Sequence, residues 1–132
     1  MVETALVIIT LIGMLVFIMD MGRIFLIQQF LTERARTTVR NAVVNNWDAT
    51  ATKNYFAYNS TEAPQGGGSG YLGLLPSQVS YQSLGTPGAS NYRLQVTVAS
   101  VPAFIFIPYI SGRYTLAPVT VTLPAQSLGA TN

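Results

Sequence analysis

Thr4 to Ile27 reads TALVIITLIGMLVFIMDMGRIFLI, and only Asp20 and Arg23 in it carry charge. As a helix rising about 1.5 Å per residue it spans roughly 36 Å, more than the roughly 30 Å hydrocarbon core of a bilayer. The stretch is apolar on every face, so its surroundings must be apolar too, whether lipid or protein. No Lys or Arg precedes it, and no small-residue cleavage site follows it, so it does not read as an ordinary secretory signal.

Downstream, the apolar character fades into a polar helix. Phe30, Leu31, Ala35, Val39, Ala42 and Val43 recur at three- and four-residue spacing, and neither Pro nor Gly occurs between Gly22 and Pro64. The pattern predicts one continuous helix from the first residues to about Trp47, roughly 70 Å long. A remainder of about 85 residues cannot enclose such a rod, so most of it is expected to project. Gly13 sits mid-run, where Gly costs roughly 1 kcal/mol relative to Ala; close helix packing in apolar surroundings accounts for it, and a local kink is the alternative. Asp20 and Arg23, three residues apart, are expected to pair on one face. Glu3 suits a first helical turn; it also suits a counter-charge for an N-terminal amine of this or a neighbouring chain.

From Asp48 the composition changes. Residues 48–70 are rich in Asn, Ser, Thr and Gly, and Gln65-Gly66-Gly67-Gly68-Ser69-Gly70 reads as a flexible loop. Asn59-Ser60-Thr61 matches a glycosylation sequon, which marks an exposed loop in a secreted chain. Strand alternation follows at Val79–Ser83, at Tyr92–Ser100 with Tyr92, Leu94, Val96 and Val98 on one face, and at Tyr114–Leu123, which Pro118 interrupts. The last two strands are expected to pair antiparallel, turning at Gly112. The fold class predicted is therefore α+β: a helix over about 1–47 and a small antiparallel sheet of three or four strands within 48–132. The connection Pro102–Ile110 is almost wholly apolar, and Phe104, Ile105, Phe106, Ile107 and Tyr109 are expected to contact neighbouring subunits, unless they fold back onto their own helix.

Composition narrows the function classes. Of 132 residues, 49% are apolar and 9% charged, against a charged share of roughly 25% in ordinary soluble domains. There is no His and no Cys, which removes thiol chemistry, disulfides and the usual zinc and haem ligands. The carboxylates Glu3, Asp20, Glu33, Asp48 and Glu62 are scattered, and a Ser or Tyr nucleophile lacks a visible base, so no catalytic, cofactor or metal site is expected. A net charge of +2 with a single Lys does not favour nucleic acid. The glycines carry no Lys-Ser or Lys-Thr, which rules out a phosphate loop. Aromatics such as Phe17, Phe25, Phe30, Trp47, Tyr55, Phe56 and Tyr58 read as packing groups rather than as a path for charge.

The opening Val2-Glu3-Thr4-Ala5-Leu6-Val7, the apolar run, and then Asp20-Met21-Gly22-Arg23 resemble the start of TadE-like pseudopilins of the tight-adherence system, within the type IV pilin superfamily. Val96-Thr97-Val98, a Pro-containing apolar loop and Val119-Thr120-Val121-Thr122 are similar to that family's end. The likeness covers about the first 45 and the last 40 residues. It implies a precursor whose short leader is removed by a prepilin peptidase, residence in the inner membrane, and handover to a pilus assembly machinery. The family Glu usually falls at the fifth mature position; here it is third.

The expectation is a pilin-like structural subunit of a bacterial surface filament that polymerises with itself through the apolar helix. Glu3, Gly13, Asp20 and Arg23 are its candidate assembly residues. The alternative is a minor, tip or priming pseudopilin, or a membrane-anchored adhesin.

Overall fold

The computed structural model describes residues 2–105 and 112–125 of the chain. The layout is α+β: one long N-terminal helix and a small antiparallel sheet. Helix α1 runs Val2–Asn45 without interruption through Gly13 and Gly22. Its 44 residues give a rod of about 66 Å. Beyond it lie α2 (Ala49–Tyr58), two short 3-10 turns, and strands β1 (Val79–Leu84), β2 (Arg93–Val98), β3 (Pro102–Ile105), β4 (Gly112–Thr115) and β5 (Val119–Pro124).

The helix ends two residues before the expected Trp47. Asn46 takes a left-handed conformation at φ 51°, which Asn tolerates better than most side chains, and the Trp47 N–H closes on the Ala42 carbonyl at 3.0 Å. Asp48 then restarts the chain as a helix: its carboxylate accepts from the Ala51 N–H at 2.7 Å, capping α2. The segment read as polar and loop-like thus opens with a ten-residue helix, and only its glycine-rich part is loop.

The sheet has the order β1-β2-β5, both pairs antiparallel. Its inner face carries Val79, Leu94, Val96 and Val98, buried, with Tyr81, Val119, Val121 and Leu123 half-buried beside them. That face meets Leu31, Ala35, Val39 and Ala42 of α1 and Phe56 of α2 in one core. The four α1 residues recur at three- and four-residue spacing, so burying them fixes which side of the rod faces the sheet.

Two corrections concern the sheet's far end. The chain from Val101 to Arg113 is not a plain connection: β3 and β4 form a separate two-stranded antiparallel ribbon, with Pro102 opposite Thr115. Gly112 is not the turn; it lies in β4 opposite Ile105. The stretch Tyr114–Leu123 accordingly divides between β4 and β5. Pro118 falls in the gap, as expected of a residue that cannot donate to a ladder.

One arginine ties helix to helix. Arg34 of α1 donates from Nε to the Phe56 carbonyl at 2.6 Å and reaches the Tyr55 carbonyl at 3.5 Å, so it closes the C-terminal end of α2. Its guanidinium lies 5.5 Å from the centre of the Tyr71 ring. Gly70 is required by close approach: a Cβ there would fall on the Ala57 carbonyl. At the other end of the head, burial pushes the Tyr81 phenol above its ordinary 10.0, and the neighbouring Tyr92 and the Asp48 carboxylate push the same way.

Candidate functional site

The site is a surface, set by which half of α1 the head covers. The core residues of α1 start at Leu31. Ahead of them, an 18-residue window of the helix is long and apolar enough to cross a membrane, and none of it is buried by the rest of the chain. Val2 is 81% exposed and Met19 74%. Ordinary soluble surfaces expose single large apolar side chains, and a contiguous apolar surface of this length marks an interface or a lipid-facing segment.

Around the rod the surface is not uniform. Gly13, Asp20, Ile24 and Ile27 lie along the same side as Leu31 at helical spacing, and none of them is fully exposed. Asp20 is 6% exposed, a buried carboxylate on an otherwise exposed segment. The opposite side carries Ile8, Ile12, Leu15, Met19, Leu26 and Phe30, all exposed. Gly22 and the exposed Arg23 fall between Met19 and Leu26, and exposed apolar side chains such as Val7, Leu11, Met14 and Ile18 cover the other sides of the rod.

The four candidate assembly residues sit as follows. Glu3 is in the first turn of α1 and exposed, where the helix dipole favours an acid. A Cβ added at Gly13 would meet no atom within 4 Å beyond its own stretch of helix, so no packing inside one copy requires a glycine there. Asp20 and Arg23 both have interaction partners, with Asp20 buried and Arg23 exposed. The rod keeps Glu3 about 25 Å from Asp20, too far for one local cluster. Of the candidate head contacts, Phe104 and Ile105 lie in β3 opposite Arg113 and Gly112; Phe106, Ile107 and Tyr109 fall outside the described residues.

The structure adds a patch that the sequence reading did not single out. Tyr71-Leu72-Gly73-Leu74-Leu75 forms a tight turn against α1, with the Tyr71 ring stacked 4.7 Å from that of Phe30. Leu74 is buried, whereas Tyr71, Leu72 and Leu75 remain exposed. The signal was available, because five apolar or glycine residues following a glycine-rich stretch are too greasy for a plain solvent loop.

No cluster of three or more His, Cys, Asp or Glu able to hold a metal occurs among the described residues. A groove at the distal end is lined by Val43, Trp47, Tyr81, Tyr92 and Leu94 among others, with neither a carboxylate nor a basic side chain in its wall. What the exposed helix can do is associate, with lipid or with other chains. No protein-family model, curated protein or solved structure matches this chain.

Proposed function

We propose that this protein is a pilin-like structural subunit of a bacterial extracellular filament, held in the inner membrane by its N-terminal helix before assembly and polymerising through that helix afterwards. One observation carries the reading: α1 is twice as long as the head can use, and its free half is apolar on all sides. Burial of apolar surface is worth roughly 25 cal/mol per Å², which favours bundling of such rods with one another once they leave lipid. The resemblance of residues 2–23 to TadE-like pseudopilins supports the same reading, with leader removal by a prepilin peptidase and passage through a pilus assembly machinery.

On this reading, Gly13 permits close approach of a neighbouring helix, and the pair Asp20 and Arg23 balances charge within the bundle. Membrane-spanning length equally favours a second role, as a minor or tip pseudopilin or a membrane-anchored adhesin. Electron microscopy of the purified protein separates the two. Abundant uniform fibres are expected; membrane-bound protein that never forms them supports the second role. A dispersed, water-soluble monomer with residues 1–27 intact overturns both.

A further inference from the structure

The three-stranded sheet has two outer strands, and each pairs on one side only. β1 and β5 both bond to β2, and no other described strand joins either of them. In an antiparallel ladder, alternate residues turn their N–H and C=O toward the partner and the rest turn theirs away. The Ala125 N–H donates to the Tyr92 carbonyl, and the Ala99 N–H to the Gln78 carbonyl, which fixes the alternation. Thr120, Thr122 and Pro124 therefore face the open edge of β5, and Val79, Tyr81 and Ser83 that of β1. Pro124 has no N–H to offer, which an outward position tolerates. The Val79 N–H is taken by the Pro76 carbonyl. On the open side, the backbones of Tyr81, Ser83, Thr120 and Thr122 have no hydrogen-bond partner among the described residues.

Open edges are ordinarily blunted by charge, by a bulge or by a covering element. β1 reads VSYQSL and β5 reads VTVTLP, six residues each and none of them charged. Their registers with β2 run one to one, without a bulge. Beside β5 an open groove of about 560 Å³ leaves room between Thr120–Leu123 and Thr32, Arg36 and Arg40 of α1. Ser80, Gln82, Thr120 and Thr122, on the outer face, are exposed and neutral. Two unguarded edges in one small head are templates for strand addition.

The alternation also selects the occupant. β1 and β5 both run antiparallel to β2, so they run parallel to each other. Brought together as a parallel pair, Tyr81 of one copy bonds to Thr120 and Thr122 of the next and stands opposite Val121. Tyr81 and Val121 both face the core side, so the two sheets continue as one, with their rods on the same side and pointing the same way. Every other edge pairing fails one of these conditions. Antiparallel pairing opposes the rods, and parallel pairing of an edge with its own kind puts them on opposite faces of the joint sheet. Chains anchored in one membrane and bundling by their rods need both conditions. Resting on that filament reading, we propose that the open edge of β1 in one copy pairs with the open edge of β5 in the next, so that the heads join by strand addition. The rods supply the driving force, and the edges fix how one head meets its neighbour. Because the two edges differ, each copy keeps one edge open for a further copy.

The chain has no native cysteine, which makes crosslinking clean. Ser80→Cys or Gln82→Cys is combined with Thr120→Cys or Thr122→Cys, and the assembled chain is oxidised. Within one chain β2 lies between these positions and holds their Cα atoms at least about 9.5 Å apart, beyond the reach of a disulfide. At least one pair is expected to give a ladder of reductant-sensitive multimers that neither single variant gives. Gln82→Lys and Thr122→Lys put a charge at an edge and leave the bonds to β2 in place, so each is expected to keep the thermal midpoint of the head while fibre yield drops roughly tenfold. Gln82→Lys combined with Thr122→Glu sets opposite charges across the contact and is expected to restore the yield. Fibres that form with no ladder from any pair, and with normal yield from both lysine variants, overturn the edge contact and leave the filament reading standing. Dimers from a single-cysteine variant, with no ladder from any pair, assign an edge to its own kind and also overturn it. If the unaltered chain forms no ordered assembly, the filament reading fails and this contact falls with it.

Discussion

Thr38 and Thr52 are both fully buried on helices, but their hydroxyls differ in what they meet. Thr52 donates to the Asp48 carbonyl at 2.7 Å, whereas Thr38 Oγ1 has no hydrogen-bond partner among the described residues. A buried hydroxyl without a partner costs about 1–3 kcal/mol, and valine matches its shape without that cost. Thr38→Val is therefore expected to raise the thermal midpoint of the head, and Thr52→Val to lower it. Equal shifts in calorimetry for the two variants would remove the distinction. Asp20 and Arg23 invite the same test of partnership. Inside an apolar bundle, removing one member of a compensated pair leaves an uncompensated charge, which is worse than removing both. Single replacement by Leu at either position should cut fibre yield well below that of the double replacement; matched yields from single and double variants would show that the two charges are not balanced against one another.

At the scale of elements, α2 depends on α1 through one side chain. The guanidinium of Arg34 closes the carbonyls at the end of α2, and hydrogen bonds to charged groups are worth roughly 1.5–3 kcal/mol. Arg34→Met keeps the aliphatic contact and loses the cap, so limited proteolysis should cut residues 59–70 sooner; Arg34→Lys should restore part of the protection. A cleavage rate unchanged in Arg34→Met would show that packing alone holds α2. The sheet offers a pH test. Burial raises the Tyr81 phenol in the folded chain, so on going alkaline the unfolded chain loses that proton first. The stabilisation is complete below about pH 10 and disappears as pH climbs through the raised value. Unfolding midpoints should therefore fall more steeply there for the native chain than for Tyr81→Phe, and parallel slopes would count against it. These elements were unequally legible. Helix α1 and strands β2 and β5 were readable because each runs long enough for its period of 3.6 or 2 to show. Helix α2 was hidden, because it lies in a stretch that reads as polar and only Thr52, Phe56 and Ala57 are buried, too few to establish a period. Its start signal was the capping Asp48, which a composition reading absorbs into a polar stretch. The β3–β4 ribbon was hidden by its length: a four-residue strand has no readable alternation. The contact turn at Tyr71–Leu75 depends on a tertiary stack with Phe30, which no local pattern reports.

For the whole molecule, the decisive division is between the part of α1 that builds the head and the part that does not. Core contacts of α1 begin at Ile27, and the head has a connected interior of helix and sheet residues that does not draw on positions 2–19. A chain that starts at Asp20 should therefore fold its head with a thermal midpoint within a few degrees of the full protein, measured by circular dichroism in the same detergent. The loss should appear elsewhere. Without the apolar stretch the chain should stay in solution without detergent and sediment as a small species, and fibres should be absent by microscopy. Because the association rests on apolar burial, fibres of the full chain should survive 1 M salt, where charge pairs at the surface are screened within about 3 Å. Fibres that persist in the truncated chain would move assembly to the head. A head that melts on truncation would mean that the free half of the rod does internal structural work, against the exposure of its side chains. Fibres dissolved by salt alone would replace apolar burial with electrostatics as the force that joins the copies.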